Sequence, residues 1–162
     1  MAKNTVETTA LQVAKTCINA VEQEKHFAIL QEMHGFDGII NFSQTMKDLI
    51  LLDQMDIFGI SKEMQVILKH INQLGMLSHM VTVCKCFQRE YEKFHQRSVV
   101  VILIGKESDS NVTQIVEDLR AGFEGNYDFI FKKSSTAGVV VRFEGKIIEY
   151  TANSVGKLLK TA

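Results

Sequence analysis

The chain has 162 residues, 46% of them hydrophobic and 23% charged, and a formal net charge of -1. This is enough for one domain or two small ones, with the balance of an ordinary soluble globular protein. Near-neutral charge argues against non-specific nucleic-acid binding, which needs a positive field for phosphate.

No apolar run approaches the ~20 residues that span a bilayer, and the longest, Val99 to Ile104, has the length of a strand. The opening residues Met1 to Thr5 lack the apolar core of a secretory signal. Glu7 comes too early for an Arg-rich, acid-poor transit peptide, so neither secretion nor organelle import is expected. Cys17, Cys84 and Cys86 are odd in number and suit a reduced cytoplasmic compartment. Proline is absent, so helix ends and turns fall to Gly, Asn, Asp, Ser and Thr.

Taken in order, the first half reads as helices. Asn4 or Thr5 is expected to cap the first, with Glu7 favourably placed against the macrodipole. Its small apolar side chains Val6, Ala10, Val13, Ala14, Cys17 and Val21 recur at helical steps and form one narrow stripe. A second helix is expected over Glu24 to Asn41, although Gly35 and Gly38 weaken it by ~1 kcal/mol each relative to Ala. A third is expected over Thr45 to Gln54, with Met46, Leu49, Ile50 and Leu52 apolar, before a break at Asp56 to Gly59. Ser61 is a good N-cap for a fourth, whose face is Met64, Ile67, Leu68 and Ile71 and whose end is Gly75. A fifth is expected from Leu77 to about Gln96; the mixed charges of its last turns, Arg89 to Arg97, read as a solvated face.

Ser98 marks a change of period. Val99 to Ile104 is apolar on both faces, as in a strand covered on both sides. Asn111 to Phe123 is amphipathic, with Asp109 or Ser110 as cap and Val112, Ile115, Val116 and Leu119 inward. Tyr127, Phe129 and Phe131 alternate with Asp128, Ile130 and Lys132 in a second strand. Val139, Val141 and Phe143 alternate in a third, Glu144-Gly145 turns the chain, and Lys146 to Tyr150 returns as a fourth. A short helix is expected over Asn153 to Lys160. The fold class is therefore α+β: a helical bundle of about five helices over 1–97, then a β-α-β-β-β-α domain over 98–162 with a four-stranded mixed sheet.

No catalytic constellation emerges. Gly105-Lys106 lacks the Gly-rich run and the Ser or Thr of a phosphate loop, and Gly156-Lys157 fails likewise. Cys84 and Cys86 point to different sides of a helix and have no second ligand pair, so Cys84 reads as a core residue. The five His, His26, His34, His70, His79 and His95, all fall in helical stretches and read as surface or interhelical hydrogen-bonding groups. Asp53, Asp56, Glu117 and Asp118 read as helix-end or surface charges. No cofactor, metal or catalytic residue is assigned, and the protein is expected not to be an enzyme.

Three stretches carry a resemblance. Leu68 to Leu77 (Leu-Lys-His-Ile-Asn-Gln-Leu-Gly-Met-Leu) ends one helix and starts the next. Phe87 to Arg97 runs into Val99-Val100-Val101. Ala137 to Glu149 forms the Gly-Val-Val-Val-Arg hairpin. Together and in this order they resemble the delta subunit of bacterial F-type ATP synthases, counterpart of the mitochondrial oligomycin-sensitivity-conferring protein. The matching motif positions are Gly75, Leu77, Gly138, Val139, Arg142, Gly145 and Glu149. Ala137 stands where the family has its first Gly, Met76 where it has Arg, and Glu149 where it has Asp. The family's Ser-Val-Arg-x-Arg-Leu run corresponds only loosely to Thr151 to Leu158, and the helical domain reads about one helix short of the family's six.

The resemblance implies a non-catalytic stator subunit of the peripheral stalk. It would link the top of the catalytic head to the stalk, so that proton-driven rotation is coupled to ATP synthesis. The implied partners are the N-terminal helices of the head's alpha subunits and the C-termini of the stalk's b subunits, in a peripheral complex on the cytoplasmic face of a bacterial inner membrane. Membrane contact would be indirect, through the complex. On the residues themselves, the stripe of the first helix (Val13, Cys17) and that of the fourth (Met64, Ile67, Leu68, Ile71) would form a groove for an amphipathic helix. The alternative use of these stripes is plain core packing. The alternative function is a small ligand-binding or regulatory module acting through the loops near Gly105 and Ser134.

Overall fold

Capping devices built on Asp53, Ser61 and Gly75 set several of the helix ends. The structure, a computed structural model, describes residues 3–105, 110–123, 125–134 and 138–150. Helices are α1 (Lys3–Ala20), α2 (His26–Gly35), α3 (Phe42–Leu51), α4 (Lys62–Gln73), α5 (Met80–His95) and α6 (Ser110–Gly122). Strands are β1 (Ser98–Gly105), β2 (Tyr127–Ser134), β3 (Val139–Phe143) and β4 (Lys146–Tyr150). The chain divides into two compact units, 1–95 and 96–162. The fold of the described residues is α+β, with five α-helices and then a four-stranded mixed sheet whose first two strands are joined by α6.

Several helix bounds differ from expectation. Helix α1 is already helical at Lys3, so Asn4 and Thr5 lie inside it; the Asn4 carbonyl accepts a hydrogen bond from Thr8 Oγ1 instead of its side chain capping the end. The second helix stops at Gly35, its last residue, and passes into a 3-10 turn, Phe36–Gly38, that ends at the other glycine. The third starts earlier, at Phe42 after Asn41 at φ 53°, and ends at Leu51. There Gln54 N–H reaches back to the Leu49 carbonyl and Asp53 N–H to that of Ile50, with Asp53 left-handed at φ 52°. This is a Schellman cap without glycine, since Asp tolerates the left-handed region better than most residues. The same pattern ends α4: Met76 N–H reaches Ile71, Gly75 N–H reaches Asn72, and Gly75 has φ 68°. Leu77–His79 form a 3-10 turn ahead of α5, and Arg97 lies beyond that helix, paired with Asp128 at 2.9 Å.

The core of the first unit is the apolar stripes packed together. Helix α1 rests mainly on α5, while α4 packs against α2 and α3. Phe87, Leu30, Met46, Met64, Leu68 and Ile71 are fully enclosed. His26 is the buried polar residue of this core. Its Nε2 lies 3.0 Å from the Val21 carbonyl and its Nδ1 2.9 Å from His95 Nε2. Since a carbonyl only accepts, His26 Nε2 is the donor to Val21, while the direction of its bond with His95 follows the tautomers of the two rings. His34 similarly bonds Gln88 across α2 and α5 at 2.8 Å.

In the second unit the strand order is β2-β1-β3-β4, with β1 parallel to β2 and antiparallel to β3, and β3 antiparallel to β4. Parallel neighbours need a crossover, which α6 supplies. Val99, Val100, Val101 and Ile102 are all buried, so β1 is covered on both faces. Val100, Ile102, Leu119, Val139 and Val141 form the core on the α6 side, with Phe123, Phe129 and Phe143 packed around it. Glu144 (φ 49°) and Gly145 (φ 74°) turn the hairpin with both central residues at positive φ, the geometry that matches strand twist. The expected terminal helix, the Thr151 to Leu158 run, Lys106 to Asp109 and Ala137 lie outside the described residues.

Candidate docking cleft

An elongated cleft of about 630 Å³ lies between α1 and α4. It exists because the two helices pack on different partners, α1 on α5 and α4 on α2 and α3. Cys17 and Ile67, each 5% exposed, form its floor. Thr16, Ala20 and Val21 line the α1 side, and Val66, Lys69, His70 and Gln73 the α4 side. The α1 wall is made of small residues, which let a backbone approach closely. On the α4 wall Val66 is 67% exposed, an apolar side chain on an otherwise polar face.

One end of the cleft is closed by charge. Lys25 Nζ lies 2.7 Å from Glu63 Oε1 and 3.7 Å from Glu22 Oε2, tying the connection after α1 to the first turn of α4. The Lys25 hydrogen bond, helped by Glu63's own backbone, holds the Glu63 carboxyl below its ordinary value. The same bond and the Glu63 charge raise the Lys25 ammonium above its own. At the floor, burial pushes the Cys17 thiol up to about 11, so it stays protonated and behaves as a small apolar group.

Of the six groove residues expected from sequence, the structure places Cys17 and Ile67 at the cleft floor. Val13, Met64, Leu68 and Ile71 are enclosed in the bundle core and do not line this cleft. The reason is angular: a stripe wide enough to seat α4 on α2 and α3 uses its central residues as core and leaves only its edge for a cleft. The surface residues Ala20, Val66, Lys69 and His70 and the Lys25–Glu63 closure were not singled out by sequence. Val66 carries a signal, being one apolar residue off the stripe. The ion pair carries none, because its members are 38 positions apart.

Of the motif residues, Gly75 is the left-handed cap of α4 and Leu77 is buried in the following turn. Gly138 (φ 96°) leads into β3, and its carbonyl accepts from Gly105 N–H at 2.9 Å. Val139 is core, Arg142 is exposed on β3, Gly145 is the hairpin turn and Glu149 lies on β4 opposite Val140. Gly75 and Leu77 belong to the first unit, and Gly138, Val139, Arg142, Gly145 and Glu149 to the second.

A second cleft, of about 610 Å³, lies between the α2–α3 connection and the start of α5, lined by Phe36, Phe42, Leu77, Met80 and Val81 with Asp37, Asn41 and Ser78. Cys84 and Cys86 are both buried, and among the described residues no cluster of His, Cys, Asp or Glu is placed to hold a metal. Among the same residues no helix is long and apolar enough to cross a membrane. No protein-family model matches the chain, and no curated protein matches it.

Proposed function

We propose that the protein is a stator subunit of a rotary F-type ATP synthase, an adaptor that holds other chains and performs no chemistry of its own. The observation that carries the reading is the α1–α4 cleft, with a buried apolar floor and small residues on one wall. From Glu63 to Gln73 the α4 wall runs about 15 Å, the rise of roughly three helical turns. An amphipathic helix from the catalytic head fits this shape, burying an apolar strip against Ala20, Val21, Val66 and Ile67. The division into a helical unit and a small sheet unit, with Gly75 at a helix cap and Gly145 at the hairpin turn, also supports it. In this reading the second unit holds the end of the peripheral stalk, and the complex sits at the cytoplasmic face of a bacterial membrane.

The test is recovery of tagged full-length protein from native membranes in mild detergent, with co-purifying subunits identified by mass. Head and stalk subunits of an ATP synthase are expected. Val66→Glu, which places a charge at an exposed position of the cleft wall, is expected to lose the head subunits and keep the stalk. Recovery of the protein alone, or retention of the head in the Val66→Glu variant, overturns the reading.

A further inference from the structure

Two histidines of α2 bond α5, and the two bonds respond differently to a proton. Near the end of α2, His34 Nε2 lies 2.8 Å from Gln88 Oε1. An amide oxygen only accepts, so His34 donates from Nε2, and a charged ring donates there as well as a neutral one. Gln88 is held in that sense by its own Nε2, which donates to Glu92 Oε1 at 3.1 Å. At the start of α2 the contact is of another kind. His26, the first residue of the helix and 1% exposed, places Nδ1 2.9 Å from Nε2 of His95, the last residue of α5. Its other nitrogen, Nε2, donates to the Val21 carbonyl at 3.0 Å. Neither nitrogen of His26 meets a carboxylate.

A bond between two imidazole nitrogens needs one hydrogen between them, whichever ring carries it. The neutral pair supplies one. A pair with one added proton still has an arrangement with one, with the charge on either ring. A pair with two added protons has an N–H on both facing nitrogens, and the bond is lost. The surroundings do not offset a second charge. Phe94 lies 5.1 Å from the His26 ring and 4.9 Å from that of His95, and Tyr91 lies 4.5 Å from His95. The ionisable groups around the pair are Tyr91 on α5 and Glu22, Glu24 and Lys25 in the turn before α2, with Lys25 engaged by Glu22 and by Glu63 of α4. Lys15 of α1 and Glu90 and Lys93 of α5 share a shallow groove with Phe94.

We propose that His26 and His95 form an acid-sensitive latch: the pair tolerates one proton, and the second frees the start of α2 from the end of α5 while His34–Gln88 holds the other end. Imidazole takes its charge between about pH 5 and 8, so the latch works in the physiological range. The unfolded chain takes up both protons and the latched fold only one, so folding weakens as pH falls. The latch does not draw on the stator reading.

The experiment follows the imidazole nitrogens and the amide exchange of isotope-labelled full-length protein by NMR from pH 8 to 5. The two rings are expected to titrate in two separate steps that belong to the pair. Exchange protection at residues 26–29 and 92–95 is expected to fall with the second step, and that at residues 33–35 to persist. His95→Gln keeps an amide nitrogen and oxygen able to donate to or accept from His26, and so satisfies it in either charge state. The unfolding constant of the unaltered protein relative to this variant is expected to grow by up to about tenfold per pH unit as pH falls. If the variant does not fold, the nitrogen titration of the unaltered protein decides the matter. A single shared titration step, protection at residues 26–29 that does not change with pH, an even loss along α2 and α5, or a ratio of unfolding constants independent of pH would each overturn the proposal.

Discussion

Lys25 and Glu63 show what single residues do here. Their ion pair is solvent-exposed, so its weight in stability is small and screened by salt. Its titration is nevertheless directional. Glu63 is lower in the folded chain than in the unfolded one, so its contribution is present above the unfolded value and is lost as pH falls through the folded one. Lys25 is raised, so its contribution is present below the unfolded value and is lost as pH rises through the folded one. Lys25→Met is expected to move the Glu63 carboxyl midpoint upward toward the ordinary range, as followed by carboxyl NMR. An unmoved midpoint would show that the Lys25 contact does not form in solution. His26 presents the opposite case: a buried ring that satisfies both nitrogens within the bundle has a structural role, and removing it would leave the Val21 carbonyl without that partner.

At the scale of elements, helix α4 is the informative one. Ser61 caps it, with Ser61 Oγ accepting from Met64 N–H at 3.2 Å, and Ser61 N–H itself donates to Glu32 at 3.2 Å. Removing the cap hydroxyl leaves a first-turn amide unsatisfied. Ser61→Ala is expected to lower unfolding free energy by about 1 kcal/mol in a urea titration, with an unchanged slope. A loss well below ~0.5 kcal/mol would mean that water replaces the hydroxyl without cost. Ser61 as cap, the apolar face and Gly75 as terminator were all legible in the residues, because capping and period are local rules. The early end of α2 was less so: Gly35 and Gly38 flagged weakness but did not say where the helix would give way. The corner after α3 was read only as a break, since a Schellman cap built on Asp53 leaves no glycine to mark it.

At the scale of the molecule, the first unit is a set of packed helices in which Phe87 and Leu68 are fully buried. A chain cut after His95 is expected to keep its helical circular dichroism and to melt in one cooperative transition. A fragment with coil-like spectra would show that the bundle depends on the second unit. The second unit has a core of its own, centred on Val100, Ile102, Leu119, Val139 and Val141. Buried area in each is apolar and locally supplied, which is why the change of period at Ser98 was visible without coordinates.

The sequence by itself determined the α+β class, the order of the described helices and strands, and the Glu144-Gly145 turn. Those features follow from hydrophobic period and from which residues accept positive φ, and both are written locally. Tertiary structure alone decided the cleft and which apolar side chains stay exposed. Whether Met64, Leu68 and Ile71 become core or groove depends on which helices α4 packs against, and that seats them inside while Cys17 and Ile67 remain at a floor. Whether Leu51 and Ile57 are covered depends on the path of the corner around Met55 and Ile60, which turns them outward. Apolar character alone does not separate a core residue from a binding residue, because both bury carbon; only the arrangement of neighbours distinguishes them.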